Sequence, residues 1–541
     1  MKKIVFLTLM LLVTGCGWGT SRRDPRVVST APPNETSNWW DSAIFYEIFV
    51  RSFYDTDADG IGDFNGIRAK LDYLNDGDPT TNNDLGITGI WMMPIFLSPT
   101  YHGYDVTDYY TVNPEYGSME DFKSLVQEAH RRGIRVIIDL VINHTSSQNP
   151  WFIQSNKNPD SPYRNWYVWS VNPPDGAGWR PGEHGFYYAY FDPTMPDLNF
   201  REPQVTNEIN KIVKFWLTGV GVDGFRIDAA KHLFEDGDIR ENAPETYTWF
   251  KEFYKSYKAV NAQAYTVGEV YGAGSHLVQA YSDDKMDQVF NFEIASGILN
   301  SVKGEASSGI TSAVKFTQMD MPGWDFATFL TNHDQDRVMD VLGGSVEKAK
   351  LAATLLLTLP GTPFIYYGEE IGMRGVKPDE DIRRPMQWTE NTPSAGFTTG
   401  TPWRPLDSTN LSVYVEQETG QAGSLLNHYR RLIALRQKEW GSGTGKVDLV
   451  DTGDPGVFAF IQHQNDKAII VFVNLTHAPV SDYNLALSDS LLTPGTYILS
   501  SLWDPGLKDF QVSIEENQNG FVKPLGQLAP YSTHIFAIKL K

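Results

Sequence analysis

Residues 222–232 read VDGFRIDAAKH. The stretch starts as a buried strand should and then places Arg226, Asp228, Lys231 and His232 within seven positions, where the apolar run gives out. Arg226 and Asp228 are two apart, so on a strand their side chains share a face. The local pattern leaves Asp228 three roles: a nucleophile, a metal ligand, or one half of a buried ion pair. The permanent charge of Arg226 would keep Asp228 ionised at neutral pH.

The same layout recurs on both sides. From residue 44 a short β-branched or aromatic run, a turn and an amphipathic helix repeat: IFYEIFV at 44, GITGIWMMP at 86, IRVIIDLV at 134, VDGFRID at 222, YTVGEV at 265, QVFNFE at 288, FATFLTNHD at 326 and TPFIYYGEE at 362. Between them, SMEDFKSLVQEAHRRG sets Phe122, Leu125, Val126 and Ala129 on one helical stripe behind Ser118 as N-cap. VTNEINKIVKFWL does the same with Val205, Ile209, Ile212, Val213 and Trp216. Helices after the fifth and sixth runs are the least marked. Apolar strands alternating with amphipathic helices imply a parallel sheet covered by helices, and eight such units close a (β/α)8 barrel. The fold class predicted is therefore α/β, a (β/α)8 TIM barrel over residues 38–144 and 199–442.

Residues 145–198 interrupt the third unit, far beyond the usual two to six residues between a strand and its helix. They are expected to form an inserted subdomain whose aromatics (Trp151, Trp166, Trp169, Trp179, Tyr187, Tyr188 and Tyr190) build mainly a small core, with two or three lining a cleft. After the helix GSLLNHYRRLIALRQKE (423–439) come VFAFIQH, AIIVFVNL, TYILSSLW and HIFAIKL. Residues 443–541 are thus expected to be an antiparallel β-sandwich domain.

A chain of 541 residues with 41% hydrophobic and 13% aromatic residues is globular, with a large domain and smaller companions. Its net charge of −21 disfavours nucleic acid or an anionic membrane surface as partner. The 15 Trp and 26 Tyr suit stacking on the flat apolar faces of sugars. At the N-terminus Lys2 and Lys3 precede an apolar run, Ile4 to Val13, too short to anchor in a bilayer, which reads as an export signal. Its end, VTGC, resembles the bacterial lipobox, so Cys16, the only cysteine, is expected to carry a lipid. Residues 1–16 would then be a lipoprotein signal and 17–37 a flexible stalk. The expected location is the outer face of a bacterial cell membrane or the outer membrane. Contact with the membrane would be through Cys16 alone, and the protein is expected to be a monomer.

In such a barrel the active site lies at the C-terminal ends of the strands. The third run ends in Asp139, followed by Asn143 and His144. The fourth ends in Arg226 and Asp228, the fifth in Glu269, and the seventh in His333 and Asp334. Glycoside hydrolysis needs two carboxylates, one protonated to assist the leaving oxygen and one ionised to attack or support the oxocarbenium-like centre. Glu269 follows TVG, an apolar approach with no neighbouring cation, so desolvation beside acidic neighbours should raise its pKa toward general-acid work.

The motifs DLVINH (139–144), MPDLN (195–199), GFRIDAAKH (224–232), GEV (268–270) and TNHD (331–334) resemble those of the α-amylase family of glycoside hydrolases, family 13. The resemblance covers residues 38–541. It implies that Asp228 is the nucleophile of a retaining double displacement, Glu269 the acid/base, and Asp334 the third carboxylate, which holds sugar hydroxyls. His144, Arg226 and His333 would bind around the same sugar, with Tyr104 as stacking platform and Asp105 as a polar contact. Calcium is the implied cofactor. DTDADGIGD places Asp55, Asp57, Asp59, the Ile61 carbonyl and Asp63 like the ligands of an EF-hand loop, although its twelfth position is Gly66. A second calcium would take Asn143, Asp197 and the His232 carbonyl.

Substrate signals are divided. DAAKH resembles true α-amylases, in which Lys231 would help bind the leaving side of the chain. DTDADGIGDFNGI and RRPMQW (383–388) resemble the oligo-1,6-glucosidase and α-glucosidase branch. The expected activity is hydrolysis of α-1,4 bonds in starch and maltodextrins, endo-acting. The alternatives are an α-glucosidase or neopullulanase-like enzyme on short α-glucans, and a non-catalytic surface starch-binding lipoprotein.

Overall fold

A computed structural model describes residues 38–81, 83–173, 178–235, 239–390, 394–441, 445–464, 467–516 and 519–540. The readings of the signal segment, Cys16 and the stalk lie outside the described residues. Among the described residues, no helix is long and apolar enough to cross a membrane.

All eight predicted runs are strands of one sheet: β1 (Phe45–Ile48), β2 (Gly89–Met92), β3 (Arg135–Leu140), β4 (Gly224–Ile227), β5 (Tyr265–Gly268), β6 (Gln288–Val289), β7 (Ala327–Thr328) and β8 (Thr362–Tyr366). Their order is β6-β5-β4-β3-β2-β1-β8-β7, with every pairing parallel. The ends meet through a parallel bridge between Phe290 and Ala327, where the Asn291 N–H donates to the Ala327 carbonyl at 2.9 Å. That bridge closes the barrel.

The two-residue period of each strand sorts its side chains. Phe45, Trp91, Ile137, Tyr265, Val267, Phe290 and Phe364 pack as an interior core, with Phe45 and Phe364 stacked at 4.4 Å. Tyr46, Ile48, Ile90, Met92 and Ile138 belong instead to the large cluster shared with the helices. Two residues further along the inward faces, the apolar filling gives way to Glu47, Asp139, Arg226 and Asp228, all buried. Gly224 is needed for this closeness, because a Cβ there would lie 1.9 Å from the Tyr265 carbonyl oxygen on β5.

The helices match their sequence stripes. Met119–Arg131 is capped by Ser118 and buries Phe122, Leu125, Val126 and Ala129. Pro203–Lys214 runs into a wider turn, Phe215–Val220, so that Trp216 joins the buried face. After β5 the helix is only Ser275–Tyr281, and after β6 two helices follow, Phe292–Gly304 and Ser308–Asp320.

Within residues 145–198 lies a three-stranded antiparallel sheet of Trp169–Ser170, Gly185–Tyr188 and Trp179–Gly182. The segment returns to the barrel by pairing with the extension of β3. Leu198 N–H donates to Asn143 O at 2.9 Å, Thr145 N–H donates to Pro196 O at 3.1 Å, and His144 bridges Asp197.

The C-terminal part has β9 (Lys446–Leu449), β10 (Val457–Gln464), β11 (Lys467–Asn474), β12 (Leu485–Ser488), β13 (Gly495–Ser501), β14 (Phe510–Ile514), β15 (Asn519–Val522) and β16 (Thr533–Leu540). Six of them form an antiparallel sheet, β9-β10-β11-β16-β13-β14, and β12 pairs with β15. Ile470, Phe472 and Phe536 of the large sheet pack with Leu485 and Leu487 of the small one, which makes the sandwich core.

Candidate active site

A cavity of about 640 Å³ opens where the barrel strands end. Asp228, Glu269 and Asp334 line it, from the ends of β4 and β5 and the loop after β7. Tyr104, His144, Lys231 and His232 line it too, with Tyr190 and Phe191 of the insert; the Phe191 ring lies 5.5 Å from His144 and 5.3 Å from His232.

Arg226 lies beneath the carboxylates, 1% exposed. Its Nη1 is 2.6 Å from Asp228 Oδ1 and 2.9 Å from Asp139 Oδ1, and its Nη2 is 3.3 Å from Glu269 Oε2. The pairing with Asp228 is as the sequence predicted. The expectation that Glu269 has no neighbouring cation is overturned: Val267 pairs with Arg226 across β4 and β5, and this register brings the guanidinium under both acids. One cation thus serves three carboxylates. Burial therefore prevails at each: Asp139 is pushed up to about 7, and Asp228 and Glu269 are also raised, against the pull of Arg226. Within the pair the contact of Arg226 with Asp228 is the shorter, 2.6 Å against 3.3 Å to Glu269, so its pull toward the ionised form is stronger at Asp228.

The turn after Asp228 is strained. Ala229 has φ 47°, a left-handed conformation uncommon for a residue with a side chain. That conformation aims the Ala229 N–H at Glu269 Oε2, 2.9 Å away.

Asp334 differs from the other two acids. Although burial raises it, the imidazole of His333, Arg383 and Arg226 together hold its carboxyl well below the usual carboxylate range. Arg383 Nη2 is 3.0 Å from Asp334 Oδ1 and 3.1 Å from Asp379 Oδ2. Arg383 lies in RRPMQW, but its contact with Asp334 spans the β7 and β8 loops and could not be read from spacing.

His333 and Arg226 sit under the cavity wall rather than on it. His333 Nδ1 faces Glu47 Oε1 at 2.5 Å, while Nε2 faces the Tyr104 hydroxyl at 2.6 Å and Asp334 Oδ2 at 3.2 Å. Burial alone would lower this imidazole, but Asp334 and Glu47 raise it to about 9. His144 is the converse. Burial pushes it down to about 4, and its Nε2 is buried without a hydrogen-bond partner. Glu47 was missed by sequence reasoning, because a single acid inside IFYEIFV carries no signal of what it faces.

Asp105 departs from its expected place. It is buried behind the cavity wall, where the Ser98 hydroxyl donates to its Oδ1 at 2.6 Å and the Thr100 hydroxyl donates to the same atom. Lys231 does reach the cavity, with Nζ 3.1 Å from the Tyr271 carbonyl and 2.6 Å from Glu241 Oε2. Of the insert aromatics named from sequence, Tyr190 lines the cavity, joined by Phe191; Trp151 and Trp166 pack on each other at 4.9 Å.

The two expected cation sites come out differently. Asp55, Asp57 and Asp63 each offer an oxygen, all within 4.8 Å of one another, a hard-donor set that fits calcium. Asp59 is not in that cluster: its Oδ1 accepts the Ile61 N–H at 2.7 Å instead. At the second place Asn143 hydrogen-bonds Asp197, and Asp197 Oδ2 is buried with no partner. Glu235, which the sequence did not reveal, stands close enough to raise Asp197 further, and its own Oε1 is likewise unpartnered. His232, the third expected ligand, lines the cavity, and its Nδ1 lies 3.0 Å from the Arg240 carbonyl. Buried Asp197 and half-buried Glu235, each with one orphaned buried oxygen, fit a divalent cation.

The family model described as "Alpha amylase, catalytic domain" matches residues 47–442. "Alpha-amylase 3" of Dictyoglomus thermophilum is 43% identical over 446 residues, covering 81% of this chain and 85% of that protein. An oligo-1,6-glucosidase of Parageobacillus thermoglucosidasius is 32% identical over 521 residues, covering 81% and 90%. The crystal structure of an α-amylase from H. orenii superposes with a TM-score of 0.80 at 40% identity, covering 92% of this chain and 99% of that one. With this extent of match, and with its acids gathered at the barrel mouth, the chain belongs to the α-amylase family of glycoside hydrolases, family 13.

Proposed function

We propose that the protein is an endo-acting α-amylase that cleaves α-1,4 bonds in starch and maltodextrins with retention of anomeric configuration. One observation carries the reading: Asp228 and Glu269 contact the same guanidinium at the cavity floor, with Asp334 beside them. Two carboxyls held on one guanidinium support a pair in which one attacks and the other gives the proton. Asp228 attacks the anomeric carbon while Glu269 gives its proton to the departing oxygen. Glu269 then takes a proton from the water that releases the glycosyl group. Asp334 and the free Nε2 of His144 hold hydroxyls of the sugar undergoing reaction, and Tyr104 offers it a ring face. Lys231, on the Glu269 side, meets the departing chain.

Polar residues Lys377, Asp379 and Arg383 line the cavity near Asp334, and RRPMQW resembles the α-glucosidase branch. These favour a second reading, an α-glucosidase or neopullulanase-like enzyme on short α-glucans, in keeping with the oligo-1,6-glucosidase relative. Incubation with starch, maltotriose and isomaltose separates the two. Mixed maltodextrins appearing early from starch support the endo reading, and glucose released alone from chain ends sinks it.

Calcium would be held by Asp55, Asp57 and Asp63 at one place and by Asn143, Asp197 and Glu235 at the other. There it would cross-link chain segments by neutralising clustered acids, and it takes no part in the bond-breaking steps. Export as a monomer anchored by a lipid on Cys16 completes the proposal; labelling with a radioactive fatty acid, lost in Cys16→Ser, tests it.

A further inference from the structure

His333 is a fully buried imidazole with a carboxylate at each ring nitrogen. A carboxylate only accepts hydrogen bonds, so both nitrogens satisfy their neighbours only if both carry protons. The contact at Nδ1 is the shorter, 2.5 Å to Glu47 Oε1, and Glu47 reaches it from inside the barrel at the middle of β1. Glu47 touches neither the cavity nor the two catalytic acids.

We infer that Glu47 is a positioning residue for the reaction: it holds His333 as a fixed imidazolium, which in turn keeps Asp334 ionised and aimed at the sugar. The inference rests on the hydrolase reading of the site and adds the group that sets its charge from behind. The hydrogen bonds form one directed chain. The Nδ1–H donates to Glu47, the Nε2–H points to the Tyr104 hydroxyl and Asp334, and the Tyr104 hydroxyl donates to Asp139 Oδ2 at 3.2 Å. Asp139 then accepts from Arg226, which also holds Asp228. A neutral His333 would break the chain at one of its two ends and leave a carboxylate, buried Glu47 or half-buried Asp334, facing a bare ring nitrogen, which is costly.

The charged and titratable groups facing His333 are Glu47 on β1, Tyr104 after β2, Asp139 on β3, Arg226 on β4 and Asp228 just after it, Asp334 beside it and Arg383 after β8. Its ring also meets the edge of Trp91, 5.5 Å between centroids, which excludes water from that side. Arg226 and Arg383 oppose a charge on the ring, and Arg383 is itself engaged with Asp334 and Asp379. The carboxylates at the two ring nitrogens decide the outcome, and only Glu47 has no role at the substrate.

The test is a titration of the whole enzyme with its histidines labelled at Cε1, followed by NMR, the His333 resonance being the one missing in His333→Asn. In the unsubstituted protein the ring stays charged at pH 7 and titrates near 9. In Glu47→Gln, which keeps an acceptor and removes the charge, the midpoint falls by about three units, so that at pH 7 only about a tenth of the rings stay charged. The same variant loses about tenfold in kcat at pH 7 with KM little changed, and recovers to within about twofold at pH 5.5, where the ring is protonated without help. A deficit equal at both pH values, or an unchanged midpoint in the variant, overturns the inference. A neutral His333 at pH 7 in the unsubstituted enzyme overturns it too, whether or not the variant folds. The titration needs no substrate, so failure to hydrolyse starch would strike the hydrolase reading and leave the imidazolium to be judged by its own measurement.

Discussion

His144 and His333 flank one cavity, both buried, and they are held in opposite charge states. His144 lies on the wall with an unpartnered Nε2, and burial keeps it neutral down to about pH 4. His333 lies below the wall between Glu47 and Asp334, which keep it charged up to about pH 9. The same residue type becomes a neutral donor in one place and a fixed cation in the other. What differs is the inward face of a barrel strand, where β1 supplies a carboxylate to one ring and β3 ends without supplying one to the other.

The largest effect should come from leaving that contrast intact and removing the chemistry. Asp228→Asn should cut kcat by about 10³-fold or more, while both imidazoles keep their separate titrations by NMR. Removing the charged ring should cost more than removing the neutral one. His333→Gln is expected to lower kcat/KM about 10²-fold and His144→Gln about tenfold, measured on the same maltodextrin.

Stability against pH sharpens the contrast further, with opposite signs. The folded pKa of His333 is raised, so its stabilising contribution is complete below about pH 6.5 and is lost as pH rises through about 9. The folded pKa of His144 is depressed. The unfolded chain therefore takes up a proton that the native state refuses, and stability falls as pH drops from about 6.5 to about 4. Melting temperatures across pH should show His333→Gln flattening the alkaline fall and His144→Gln the acid one. The smallest of these effects concerns a place where like charges meet without a ring between them. Chelation of calcium should lower the melting temperature, and Asp197→Asn, which removes one of two facing charges, should reduce that dependence; an unchanged dependence would take calcium away from Asp197 and Glu235.

The sequence made the eight strands legible because each is a short β-branched or aromatic run, and the acids at their ends because they stand where those runs stop. Long-range relations were not legible. Closure through Phe290 and Ala327 joins short strands whose pairing no local pattern encodes. The sharing of Arg226 among Asp139, Asp228 and Glu269 depends on the register of three strands. Glu47 looked like one polar residue in an apolar strand, and Glu235 like one acid in an acidic loop. Each gains meaning only from a partner far away in the chain: His333 in one case, Asp197 in the other. For VDGFRIDAAKH, the ion pair and the nucleophile proposed for Asp228 are compatible, since Arg226 is the cation that three acids compete for.

The stereochemical course of hydrolysis tests the central claim most directly. Proton NMR of the anomeric signals during cleavage of a short maltodextrin should show the α-anomer of the new reducing end first, with the β-anomer growing in only by mutarotation. A β-anomer released first would contradict a covalent intermediate on Asp228.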